Sequence, residues 1–358
     1  MKNKCLLGVI GSLPRPVGGV TTFLDRFVRR IVAPDIFLDY VFSNEKPIFC
    51  NEQLQYFVSN GFIGSSIIFI VKELERIIIR RSAIIWFINY STPGGVLRCI
   101  LLPRMPGAKW VLMLHNGELR DTGVMRYLPF SLIKWLLGRF DTVLVISQKQ
   151  ASYYSRYVSA DKLVSVKSYL PAPNYGRYSS IALDRFLAMK AQRQCPVISL
   201  SGYALKEYGY ELFFEAISSL MDRHWLICIC CYGDQAERVQ QFIPVASLDR
   251  VVVFCNLSEH AFIQVLRATD IYVRPNLVDS FGVAVADVVS MGKVVIASDV
   301  CERVPGAVLF RSGDVESLRA RLRLALDGQL VPSGRLAFDK FTETNTSTLC
   351  SVFGGGSN

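Results

Sequence analysis

The sequence predicts an α/β protein of two domains, each a parallel sheet flanked by helices, and three observations predict it. Strand-like apolar runs alternate with helical patterns in βαβαβ order twice over, which means parallel sheets. The 358 residues suffice for two domains, each with its own core. A proline-bearing polar passage after Leu170 separates them, since prolines there favour extended chain. At 51% hydrophobic and 20% charged residues, the chain is of folded, not disordered, composition.

The first domain is expected over 1–172. Cys5 to Gly11 reads as a buried strand, and Gly18-Gly19 stands directly before a helix starting near Val20. A glycine pair there lets a ligand approach backbone N–H groups. Phe37 to Phe42 reads as a second strand and Ile67 to Ile79 as a basic, aliphatic helix with Lys72, Arg76 and Arg80 at four-residue spacing. Lys109 to His115 is a strand that ends in His115, Asn116 and Gly117, a polar cluster where α/β sheets bind ligands. Tyr127 to Phe140 is rich in aromatics and carries Lys134 and Arg139. Phe140 to Ser147 gives the next strand, with Ser147 capping a helix.

The linker is expected over 173–195 and the second domain over 196–334, opening with the strand Val197 to Tyr203. Leu226 to Tyr232 and Arg250 to Phe254 are further strands, and Ser258 starts a helix reaching Ala268. The organising stretch runs from Arg274 to Asp299: strand end, tight loop, helix and second strand. Ser280 is read as the cap of a helix whose first turn is Phe281, Gly282 and Val283, ended by Gly292. An open helix N-terminus with no side chain at Gly282 is an anion cradle. Asp279 and Asp287 bracket it, with seven residues between them, and each carboxylate accepts hydrogen bonds from sugar hydroxyls. The tail, 335–358, could cross back to the first domain, although its Thr-rich composition is poor helix material.

The formal charge of +10 is uneven: residues 1–190 carry 25 Lys and Arg against 12 Asp and Glu, and residues 191–358 carry 15 against 18. The basic half should face something anionic. No helix-turn-helix, aromatic single-strand motif or zinc spacing points to nucleic acid, so a phosphate-bearing acceptor or an anionic membrane is expected. Ten scattered cysteines read as buried thiols of a reducing compartment, and three histidines without paired spacing as no structural zinc. No run of eighteen or more apolar residues marks a membrane span.

The Asp279-Ser-Phe-Gly282 turn, the seven-residue gap to Asp287 and the strand Val294 to Ser298 resemble the donor site of GT4 retaining glycosyltransferases of GT-B fold. The resemblance extends to Gly18-Gly19 and His115. It implies two Rossmann-like domains with parallel sheets facing a cleft, and metal-independent transfer of a sugar from a nucleoside diphosphate donor to an acceptor hydroxyl, without a cofactor. Asp279 would orient the donor sugar, Asp287 the ribose and His115 the reacting end, with Gly18, Gly19, Ser280, Phe281, Gly282 and Val283 around the diphosphate. The family's Arg and Lys fall on Tyr203 and Tyr208, so Lys206 and Arg274 are taken as the phosphate partners. The acceptor is expected to be a lipid-linked saccharide of surface polysaccharide assembly, at the cytoplasmic face of the membrane. Two other classes fit the same residues: an inactive sugar-nucleotide-binding or partner-binding relative, and a GT-B epimerase or hydrolase of the sugar nucleotide.

Overall fold

The computed structural model describes residues 6–13, 17–30, 35–39, 55–59, 62–75, 78, 84–90, 94–97, 99, 102–115, 127–220, 224–234 and 236–353. The chain divides into two compact units, one of residues 1–170 with 344–358 and one of residues 171–343.

In the first unit β1 (Leu6–Ile10), β2 (Asp35–Asp39), β3 (Gln55–Ser59), β4 (Ile84–Tyr90), β5 (Lys109–Leu114), β6 (Thr142–Val145) and β7 (Leu163–Ser165) form one sheet in the order β3-β2-β1-β4-β5-β6-β7. Every described pairing is parallel. Strands buried on both faces read as unbroken apolar runs, as Ile-Ile-Trp-Phe-Ile in β4 does. One face is covered by α2 (Phe62–Glu75), α3 (Gly94–Leu97) and α4 (Phe130–Gly138), packed on Trp86, Trp110 and Leu112. The other is covered by α1 (Gly19–Arg30), whose Phe23, Leu24 and Phe27 meet Phe87 and Met113. The helix α5 (Gln148–Tyr154) follows β6, and Ser147 caps it by accepting from Gln150 N (3.1 Å), as its sequence position indicates.

In the second unit β8 (Val197–Tyr203), β9 (Leu226–Tyr232), β10 (Val251–Cys255), β11 (Ile271–Arg274), β12 (Val294–Ser298) and β13 (Val308–Phe310) run parallel in the order β10-β9-β8-β11-β12-β13. Around them lie α6 (Ile181–Arg193), α7 (Tyr210–Ser218), α8 (Glu259–Ala268), α9 (Val283–Ser290) and α10 (Val315–Leu326). The expected α/β architecture with two parallel sheets is what the chain adopts.

Several local expectations change. The stretch read as linker holds α6, because Ser180 caps it and Leu183 and Phe186 are buried beneath it. The second strand is described over Asp35–Asp39, and the rest of its expected range, 40–42, lies outside the described residues. The helix expected from Ile67 to Ile79 starts earlier and is described over Phe62–Glu75, while Arg76 and Arg80 lie outside the described residues. The Thr-rich tail forms α11 (Arg335–Phe353), with its last turns in the first unit. There Leu349 and Val352 are buried, Phe353 meets Phe27 and Phe87, and Asn345 bonds Lys167 N (2.7 Å) and Tyr169 O (2.7 Å). Tertiary packing overrides a weak propensity.

Candidate active site

Each sheet has a topological switch point, between β1 and β4 in the first unit and between β8 and β11 in the second. Ligands of open α/β sheets bind outside the carboxyl ends of the strands at such points. In the second unit the two loops leaving β8 and β11 touch through their backbones. A Cβ on Gly209, at φ +70°, would lie 2.1 Å from the Pro275 carbonyl oxygen, and Leu277 N donates to Glu207 O (2.8 Å). Only glycine permits that approach.

At this edge the structure assembles an ion cluster. Arg274, at the end of β11, donates from Nε and Nη2 to both oxygens of Asp279 (3.0 and 3.3 Å) and from Nη1 to Ser201 O (3.0 Å). Arg303, in the loop after β12, donates from Nη1 to Asp279 Oδ2 (2.7 Å) and Phe281 O (3.1 Å), and from Nε to Ser298 O (3.0 Å). Its Nη2 reaches Ser298 Oγ (3.2 Å). The side chains of Arg303, Asp279 and Arg274 are 1%, 9% and 13% exposed. Burial works against ionising Asp279, but the two guanidiniums outweigh it and hold the carboxyl well below the usual range. Burial also disfavours the charged form of Arg274, and Asp279 reverses that. Two cations share one anion, so the cluster keeps one net positive charge.

This geometry corrects the role read for Asp279. Ser280 N also donates to Asp279 Oδ1 (3.0 Å), so the carboxylate accepts four hydrogen bonds, which fill its roughly four lone-pair sites. No acceptor capacity is left for a sugar hydroxyl; Asp279 holds the two arginines instead. The helix start is corrected too. Gly282, at φ +84°, is the N-cap and α9 begins at Val283, so Ser280 is not the cap. The Ser280 amide is committed to Asp279, Phe281 is buried and stacked on Phe341, and a Cβ on Gly282 would lie 2.8 Å from Arg303 Nη1. Of the cradle, Val283 and Ala284 are half-buried, and their amides have no hydrogen-bond partner among the described residues. Asp287, about one turn into α9, is 1% exposed.

Tyr203 and Tyr208 do not leave gaps where the cations were expected. The Tyr208 ring fills the seat that a side chain at Gly202 would take, with ring carbon Cδ1 1.9 Å from the position of a Cβ. The Arg274 guanidinium lies over that ring, 5.4 Å from its centroid. Burial pushes the Tyr208 phenol up to about 12. Lys206 sits in a short 3₁₀ turn, exposed, with no ion pair or side-chain hydrogen bond among the described residues. Arg303 was missed in the sequence because its pairing with Asp279 spans 24 positions and follows no local pattern.

In the first unit, Gly18 precedes α1 and Gly19 is its first residue; Thr21 Oγ1 accepts from Gly18 N (3.1 Å). His115 follows β5, while Asn116 and Gly117 fall outside the described residues. His115 is buried and both ring nitrogens have protein partners, Asn89 Oδ1 at Nε2 (2.7 Å) and Ser168 Oγ at Nδ1 (2.6 Å). Burial lowers its pKa to about 3, so the ring is neutral. A neutral ring that donates from Nε2 to Asn89 accepts from Ser168 at Nδ1. The consequence is an oriented amide: Asn89 Nδ2, buried at the carboxyl end of β4, has no hydrogen-bond partner among the described residues. It lies at the switch point beside Gly11, where a Cβ would come 2.9 Å from Asn89 O.

Among the described residues no group of three His, Cys, Asp or Glu side chains is arranged to hold a metal ion. The eight described cysteines form no disulfide with one another, and Cys228, Cys230 and Cys231 are buried in β9.

Comparison with known proteins assigns the fold. Over 99% of this chain and 100% of the other, it superposes on sucrose-phosphate synthase from Thermosynechococcus elongatus at TM-score 0.66 and 14% identity. A glycosyltransferase from Rickettsia africae is similar over 97% of this chain and 94% of its own, at TM-score 0.66 and 14% identity. Anabaena HepE in complex with UDP and glucose is similar over 97% and 100%, at TM-score 0.64 and 12% identity. The chain has the GT-B fold. Within it, residues 195–327, which carry the ion cluster, match the family of glycosyl transferases group 1. None of the curated proteins matches the sequence.

Proposed function

We propose that the chain is a glycosyltransferase that moves a sugar from a nucleoside diphosphate donor to an acceptor hydroxyl with retention. The bond from the anomeric carbon to the diphosphate oxygen breaks, a bond to the acceptor oxygen forms, and the acceptor proton leaves. Negative charge then grows on the diphosphate, and stabilising it is the main task of the site. The observation that carries this reading is the Arg274–Asp279–Arg303 cluster at the switch point beside the free amides of α9. Arg274 commits three N–H groups and Arg303 four to protein acceptors, and of the two side chains Arg274 is the more exposed, at 13% against 1%. Lys206 supplies a further mobile cation. The group 1 match over this unit supports the reading, as do HepE, solved with UDP and glucose, and the E. coli protein solved with UDP-2-fluoro glucose.

Asp279 acts as the positioning residue of the cluster, and Asp287 remains the candidate for the ribose. In the first unit Asn89 Nδ2, oriented by His115, is the candidate donor to a sugar hydroxyl, and the Gly18-Gly19 turn the candidate close approach. The acceptor is a lipid-linked saccharide of surface polysaccharide assembly at an anionic membrane, supported by the basic balance of residues 1–190. The reaction uses neither metal nor cofactor.

The test is transfer and nucleotide release across a panel of nucleoside diphosphate sugars, with and without acceptor lipid. One donor should give acceptor-dependent turnover, and Lys206→Met should raise its KM about tenfold, the weight of one charge-assisted hydrogen bond. Product formed without acceptor would instead identify an epimerase or hydrolase. Binding without turnover for every donor would identify an inactive relative.

A further inference from the structure

The helix α2 is amphipathic in the reverse of the usual sense. Ser66, Phe69 and Glu73, at three- and four-residue spacing, are buried, and Glu73 accepts a hydrogen bond from the Trp86 indole Nε1. Phe69 packs at a tilt against Trp86 (4.3 Å) and edge-on against Trp110 (5.4 Å). Ile63, Ile67, Ile70, Val71 and Leu74 point outward instead, Ile63 at 73% exposed and Ile67 and Val71 at 56% each. A soluble surface helix turns its aliphatic stripe to the core; this one turns it away. Lys72, the first of the basic residues at four-residue spacing, is half-buried, pairs with Glu75 (3.0 Å) and lies over the Phe57 ring.

A second exposed patch shares that side of the sheet, because α2 and α4 pack on the same cluster around Trp110. On and before α4, Tyr127, Phe130 and Trp135 are exposed, with Lys134 exposed between them. The Arg139 guanidinium lies between the buried Trp110 (5.3 Å) and the exposed Trp135 (5.1 Å). Aliphatic residues bordered by Trp, Tyr and Lys are the composition of a membrane–water interface. Charge selects the occupant. Residues 1–170 and 344–358 carry 22 Lys and Arg against 11 Asp and Glu, so two copies meeting here would repel each other, whereas an anionic bilayer attracts. No described helix is long and apolar enough to cross a membrane.

We propose that the α2–α4 face docks on an anionic lipid surface, with α2 lying along the interface, its aliphatic stripe towards the acyl chains, and Trp135 at headgroup depth. This deepens, and rests on, the membrane part of the functional reading. It is tested on the full chain by co-sedimentation with vesicles of phosphatidylcholine alone and of phosphatidylcholine with phosphatidylglycerol, at low and high salt.

The wild type should bind the anionic vesicles and release as salt shortens the screening length from about 10 Å at 0.1 M to about 3 Å at 1 M. Of four tryptophans, Trp86, Trp110 and Trp225 are already buried, so a blue shift of emission on binding reports Trp135. The double variant Ile67→Glu, Val71→Glu alters exposed positions only; its Tm should hold while vesicle binding falls at least about tenfold. Undiminished binding by that variant, absence of binding to anionic vesicles, or a wild-type dimer that the variant dissociates would each overturn the proposal. Sugar transfer to a water-soluble acceptor analogue, measured on the same variant, should be unchanged, which separates failure of docking from failure of the transferase reading.

Discussion

Replacing Asp279 by Asn keeps the shape of the side chain and removes the one anion between Arg274 and Arg303. Four hydrogen bonds converge on this carboxylate, at 3.0, 3.3, 2.7 and 3.0 Å. Asparagine retains one acceptor oxygen and turns an NH₂ donor towards guanidinium donors. Breaking a buried ion pair from one side costs about 3–5 kcal/mol, because the remaining charge is left uncompensated. For a unit of this size each kcal/mol moves Tm by about 2–4 °C, so the C-terminal transition should fall by about 6–20 °C. Removing a cation as well, in Asp279→Asn with Arg303→Met, should recover part of the loss, a coupling of about 0.5–3 kcal/mol in a double-mutant cycle.

The pH dependence has a definite sign. A carboxyl held below its unfolded value contributes stability above about pH 3.9 and loses it as pH falls further, so the wild type should lose more stability below pH 4 than Asp279→Asn does. Thermal unfolding followed by calorimetry reads all three. A Tm for Asp279→Asn within about 2 °C of wild type, a shift worth under about 1 kcal/mol, would refute the cluster as a buried, mutually supporting unit.

The other predictions concern the first unit. His115, lowered to about 3, is neutral when folded but titrates near 6.5 when unfolded, so stability is full above about pH 6.5 and should fall by roughly 1.4 kcal/mol per pH unit below it; His115→Gln should flatten that slope in urea titrations. Asn89→Asp keeps the acceptor that faces His115 and removes the unpartnered Nδ2 donor; kcat/KM for transfer should fall about tenfold. Ending the chain at Glu343 strips Leu349, Val352 and Phe353 from the first core, which at about 1.5–3 kcal/mol per side chain should abolish or sharply weaken the N-terminal transition while sparing the other.

How much of this was readable beforehand follows from the range of the interactions. Local patterns carried the strands: runs opened by β-branched residues, such as Val294 to Ser298, and the Ser147 cap, appear where the sequence indicates. The Asp279-Ser-Phe-Gly282 turn sits at the switch-point edge for the same reason, since turn chemistry is written in adjacent residues. What was not legible depends on contacts distant in sequence. Arg303 reaches Asp279 across 24 positions, and saturation of the carboxylate is visible only once both arginines are placed. The same holds for α11, made helical by packing on Phe27 and Phe87, and for α2, whose aliphatic stripe suggested nothing about which side would face the sheet. Glu73 decided that by reaching the Trp86 indole.

The proposed diphosphate site, at the carboxyl edge of the second sheet, consists of Arg274, Arg303 and Lys206. Calorimetric titration of the intact chain with nucleoside diphosphates and with the matching nucleosides tests it most directly. One diphosphate should bind at least about tenfold more tightly than its nucleoside, with the advantage shrinking in Lys206→Met and falling as salt rises. Equal affinity for nucleoside and diphosphate, or no binding of any diphosphate, would contradict it.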